Sequence, residues 1–64
     1  MSEEIQYSIK EINENFEHFK KDVELFLEKK NKSAGTRSRK ALLEISKLCK
    51  DIRKQIQDIK NAEA

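Results

Sequence analysis

The chain has 64 residues, 14 of them basic and 12 acidic, for a net charge of +2; 41% of its side chains are charged and 36% hydrophobic. That length holds one domain, and alone it buries too little surface to be more than marginally stable. No apolar run approaches the ~20 residues of a membrane span, and the acidic start is unlike a signal or transit peptide, so a soluble cytoplasmic protein is expected. Cys49, the only cysteine, excludes an intramolecular disulfide and leaves no Cys/His cluster for zinc.

With no Pro and one Gly, the chain reads as long helices. The first is expected over about 3–29. Its apolar residues, Ile5, Ile9, Ile12, Phe16, Phe19, Val23 and Phe26, alternate in steps of four and three, a heptad seam that no strand can use. A polar turn follows at about 29–33, where Asn31 or Ser33 can cap the next helix by accepting from a free backbone N–H. The second helix is expected over about 32–62. Its seam runs through Leu42, Ile45, Cys49, Ile52, Ile56 and Ile59, and with the earlier start backwards through Ser38 and Gly35, whose small size lets the arms approach beside the turn; the alternative puts Gly35 in the loop and starts the helix at Thr36 or Arg37. The fold class is therefore all-α, an antiparallel helical hairpin with arms of ~27–30 residues, ~40–45 Å long.

One hairpin is too thin to cover both seams. Ala34, Ala41, Leu48 and Ala62 lie in line beside the second seam, with Gln55 in the same line, and the first helix adds Leu27, a stripe wider than a two-stranded coil uses. Two hairpins associating into a four-helix bundle are the expected architecture. The core and dimer contact is expected to use Ile9, Phe16, Phe19, Leu42, Ile45, Leu48, Ile52 and Ile56.

Candidate catalytic groups are few. His18 falls on the polar side of the first helix with no second His nearby, so it reads as a surface residue. Cys49 on the seam reads as a buried, inert thiol. Tyr7 lies near the open end, and Phe16, Phe19 and Phe26 read as core rather than as stacking platforms for bases. No enzyme, metal, cofactor or small-molecule substrate is expected.

Charge is more informative. Residues 1–30 carry five lysines against eight acids, net −3, while residues 31–64 carry nine bases against four acids, net +5. Lys29, Lys30, Lys32, Arg37, Arg39 and Lys40 fall within twelve residues that contain no acid. Lys40, Lys47 and Lys54 each have an acid four residues on (Glu44, Asp51, Asp58) and read as a solvated ion-pair face. Arg37, Arg39 and Arg53 have none at three or four residues. An unpaired basic cluster at a helix N-terminus, where free N–H groups add partial positive charge, points to an anionic partner.

The run Asn31-Lys32-Ser33-Ala34-Gly35-Thr36-Arg37-Ser38-Arg39-Lys40-Ala41-Leu42, followed by Glu44-Ile45-Ser46-Lys47-Leu48 and Ile52-Arg53-Lys54-Gln55-Ile56, resembles the bacterial linker-histone-like nucleoid proteins. The likeness covers residues 28 to 60 well and the first helix by length and pattern alone. It implies non-sequence-specific DNA binding and chromosome organisation in a bacterial cytoplasm. Carried onto this chain, the family's basic motif falls on Lys32, Arg37, Arg39 and Lys40, and its helical basic run on Arg53 and Lys54. Some members carry a long Lys/Ala-rich tail where this sequence ends at Asn61-Ala62-Glu63-Ala64, so the resemblance does not imply strong condensation of DNA by this chain alone, while binding through the helical part is compatible with it. The expected partners are double-stranded DNA and a second copy of the chain, with no membrane. A helical protein-interaction module and an RNA-binding hairpin are the alternatives, because phosphates alone do not separate DNA from RNA.

Overall fold

Asn31 sets the break between the arms. Its side-chain Oδ1 accepts from the Ala34 N–H at 3.0 Å and its carbonyl from the Gly35 N–H at 3.2 Å, so Asn31 is the N-cap of the helix that follows. Lys30, just before it, takes the left-handed conformation at φ 53°, which ends the preceding helix. The computed structural model describes residues 3–63, and there the chain is two helices, α1 (Glu3–Lys29) and α2 (Lys32–Glu63), with no strand among the described residues. Glu3 and Glu4 open α1, and basic Lys29 and Lys60 lie in the last turns of α1 and α2, each sign suited to its end of the helix dipole.

The arms lie side by side as a rod of 51 × 15 × 11 Å, the helical hairpin that the two seams imply. The line along which they meet differs from the expected seam. The most deeply buried residues of α2 are Ala34, Ser38, Ala41 and Leu48, and that of α1 is Ser8. Ile45, Ile52 and Gln55 continue this line in α2, and Ile5, Ile12, Asn15, Phe19 and Asp22 do so in α1, all half-buried. Leu42, Cys49, Ile56 and Ile59 are exposed instead, as are Ile9, Phe16 and Phe26. Each arm is thus turned by about one residue position from where its large apolar side chains alone would put it. The physical reason is side-chain size. A stripe of Ala and Ser lets two backbones approach closely, and the buried Ser38 hydroxyl is satisfied by donating to the Gly35 carbonyl at 2.8 Å. Among the described residues no large side chain is fully buried by this contact.

Gly35 shows how tight the turn end is. A Cβ built there would lie 2.7 Å from Phe26 Cδ1 and 3.0 Å from Cε1, so the ring rests on the bare glycine backbone. Replacing a helical Gly by Ala ordinarily stabilises by about 1 kcal/mol. Here Gly35→Ala should give no such gain, because the methyl displaces Phe26. In a Phe26→Ala background the same change should stabilise by roughly 0.5–1 kcal/mol. Thermal melts followed by circular dichroism check this; equal effects in the two backgrounds would mean that the ring does not sit on Gly35.

Candidate functional site

The turn gathers basic side chains by construction. Lys29 ends α1, Lys30 is the left-handed residue, and Lys32 opens α2, with Arg37, Arg39 and Lys40 in the next two turns. All six are exposed. The first turn of α2 contains no acid, so its free N–H groups and these cations concentrate positive charge at the turn end of the rod, where Glu28 is the exposed acid in the last turn of α1.

Arg37 is the exception to the expectation that these charges are unpaired. Its Nε and Nη2 both donate to Asp22 Oδ1 at 3.1 Å, reaching across from α2 to α1. The Arg37 side chain is still 52% exposed while Asp22 is 17% exposed, so the carboxylate is the more enclosed partner. Nothing within four residues of Arg37 reveals this pair, since its partner lies fifteen positions away. The signal that finds it is hairpin register: Asp22 and Arg37 are nearly equidistant from Lys30, as are Phe26 and Gly35.

A second expectation also changes. The salt bridges among the described residues are Arg37–Asp22 and, within α1, Lys20–Glu17 at 3.2 Å. Lys40, Lys47 and Lys54 do not close salt bridges with Glu44, Asp51 and Asp58; a lysine placed before its acid is the poorer orientation on a helix, and exposed pairs repay little of the side-chain entropy they cost. These lysines therefore keep their charge available to solvent.

Arg53 and Lys54 are not part of the turn cluster. They lie fourteen residues beyond Arg39 and Lys40, about 21 Å along α2 at 1.5 Å per residue. Arg39 and Arg53 do share a helical row with Lys32 and Lys60, all spaced by sevens or fourteens, so a basic line extends from the turn along the outside of α2.

Between the arms a shallow cleft of about 390 Å³ is lined by Asn15, His18, Asp22, Arg37, Lys40, Ala41 and Glu44. It is open, with polar or charged residues contributed by both arms and one histidine among them. Among the described residues no group of three His, Cys, Asp or Glu side chains is placed to hold a metal ion, and no helix is long and apolar enough to cross a membrane. Tyr7, well away from the turn, hydrogen-bonds Glu11, and this bond together with the carboxylate's charge holds the phenol above its ordinary pKa. Cys49, expected to be buried, is exposed on α2 because the arms meet along Ala41 and Leu48 instead.

The family model described as Histone H1-like protein Hc1 matches residues 6–62, which takes in most of α1 as well as the basic turn and α2. No curated protein and no solved structure matches the chain. The match bears out the resemblance carried by the Gly35-Thr36-Arg37-Ser38-Arg39-Lys40 run and extends it over the first helix. The chain belongs to the Histone H1-like protein Hc1 family.

Proposed function

We propose that the chain is a nucleoid-associated protein of the bacterial cytoplasm that binds double-stranded DNA through its phosphates, without reading base sequence and without catalysis. The observation that carries this reading is the exposed basic cluster at the turn, coincident with the N-terminus of α2. Membership in a histone H1-like family supports it. Phosphate contacts position a protein on nucleic acid and carry no sequence information themselves.

Lys29, Lys30, Lys32, Arg39 and Lys40 would make the first contacts, being exposed and free of salt bridges. Arg37 serves in part to tie α2 to α1 and contributes less per charge. Arg53 and Lys54 extend the contact along the shaft. No set of side chains suited to base edges stands beside them, so affinity rests on charge.

Each phosphate neutralised releases condensed counterions, so binding should weaken steeply with salt, with a log–log slope of about 0.9 per contact. Replacing Lys32, Arg39 and Lys40 together by Gln should weaken binding to all duplex sequences alike and flatten that slope by about two to three. Removing Lys47, Lys50 and Lys54 instead should cost less, since Glu44, Asp51 and Asp58 interrupt that part of α2. Electrophoretic shifts with random duplex and with RNA at two salt concentrations, beside helicity measurements, check this. Unchanged binding by the turn variant would move the assignment to a protein-interaction module.

Asp22→Asn tests the tied arginine. Stability should fall by less than about 1 kcal/mol, because the pair is half-open to solvent on the Arg37 side. Duplex affinity should rise, since the change removes a negative charge beside the cluster and releases Arg37. Weaker DNA binding by a fully helical Asp22→Asn chain would show that the pair positions Arg37 for contact.

A further inference from the structure

The side of α2 that faces directly away from α1 has a pattern of its own. Ala34 and Ile52, both on the arm-to-arm line, lie nine residues to either side of Leu43. At about 100° per residue that is half a turn around the helix. Leu43 therefore stands at the centre of the outward face, and it is 57% exposed. It serves neither the contact between the arms nor the apolar flank that carries Leu42, Cys49 and Ile56. Within about 60° of it on either hand come Lys32, Arg39, Lys40, Lys47, Lys50 and Lys54. All six are exposed, and none closes a salt bridge among the described residues. From Lys32 to Lys54 this face holds no acid; Glu44 and Asp51 stand about a quarter turn off it. Beside Leu43 an open groove of about 540 Å³ is lined by Thr36, Arg39, Lys40, Leu42 and Leu43. The Thr36 hydroxyl donates back to the Lys32 carbonyl at 3.3 Å, so its proton is held within the helix. The groove thus joins leucine side chains to a cationic rim.

We propose that Leu43 is an apolar wedge: while the surrounding cations hold phosphates on both sides of the minor groove, the leucine enters an opened base step and bends the duplex. The inference rests on the DNA-binding reading and adds to it a contact with bases that hydrogen-bonds none of them. Charge selects a polyanion as the occupant, since six cations and no acid surround the leucine. An anionic membrane surface shares that charge, but it holds a helix through a broad apolar face, and here one leucine stands among cations. Duplex DNA offers a place for a single apolar side chain. Its apolar surface is the faces of its bases, which stacking hides, and leucine is among the residues that open a step from the minor groove. Arg and Lys reach further from the helix than Leu does. Phosphates are therefore met first, and the leucine touches bases only where the groove widens.

Burying one leucine offsets only part of the cost of unstacking a step, so the wedge acts where that cost is reduced. Pyrimidine–purine steps such as TA yield readily, whereas A-tracts are stiff. The chain should favour deformable DNA while reading no base edge.

The test uses the full chain and two short duplexes of equal length, one with a central TA step and one with a central A-tract. Each carries 2-aminopurine at its centre and a donor–acceptor dye pair on its ends. The parent chain should brighten 2-aminopurine in the TA duplex, shorten its end-to-end distance, and bind it at least about threefold more tightly than the A-tract. Leu43→Ala keeps a good helix former and should remove the brightening, the bend and the preference. Its salt slope should persist, because no phosphate contact is lost. Leu43→Met should retain all three signals, and circular dichroism should show both variants as helical as the parent. If the alanine variant brightens and bends the TA duplex as the parent does, the wedge is overturned. Salt-dependent binding by the parent with neither brightening nor bending overturns it too, and leaves phosphate binding standing. A parent chain that binds neither duplex brings down the DNA-binding reading and the wedge with it. Loss of binding to phosphatidylglycerol vesicles on Leu43→Ala, with duplex behaviour unchanged, would replace the wedge by a membrane contact.

Discussion

The close approach of two backbones along Ala34, Ser38 and Ala41 governs the rest of the molecule. Residues this small give little apolar burial, so the contact gains from proximity and dispersion rather than from covering large side chains. Its indirect effect is greater. By drawing the arms together on one flank of each apolar stripe, it turns Phe16, Leu42 and Ile56 away from the arm-to-arm contact. A hairpin closed along the large residues would have hidden them and left alanines outside. The chain instead closes on its small residues and presents its large ones.

The same rotation arranges the charges. Asp22 and Arg37 meet on the polar side because their rows are brought inward opposite each other, and this fixes the register of the arms at the turn end. One guanidinium there is directed toward the scaffold, whereas Arg39, two residues on, projects outward with the row that continues to Arg53. Two arginines of similar sequence context thus have different surroundings, decided by which side of α2 each occupies. The left-handed Lys30 fits the same economy of the turn: a glycine would hold that backbone with less strain, and the lysine keeps a cation at the tip.

Much of the fold was legible in the sequence. The alternation of four and three in both halves gives two helices, and Asn31 as an N-cap gives the break. Spacing did not give which flank of each stripe closes the hairpin. Hydrophobicity favoured Leu42, Cys49 and Ile56, while close packing favoured Ala34, Ala41 and Leu48, and a pattern read on one arm at a time does not weigh the two. The Arg37–Asp22 bond was hidden for a related reason, since local charge counting looks three or four residues away and a hairpin brings together residues equidistant from its turn. The run from Gly35 to Lys40 carried the family resemblance without any of this geometry, because it is contiguous.

The rod's proportions, 51 Å by 15 Å, also govern the order in which it can assemble. Contacts beside the turn, such as Phe26 on Gly35, close a loop of a few residues, whereas contacts toward the open end close loops several times longer. Loop entropy therefore favours zipping from Asn31 outward, with the Ala34–Ala41 stripe engaged before Leu48 and Ile52. The end that gathers the positive charge is the end that orders first.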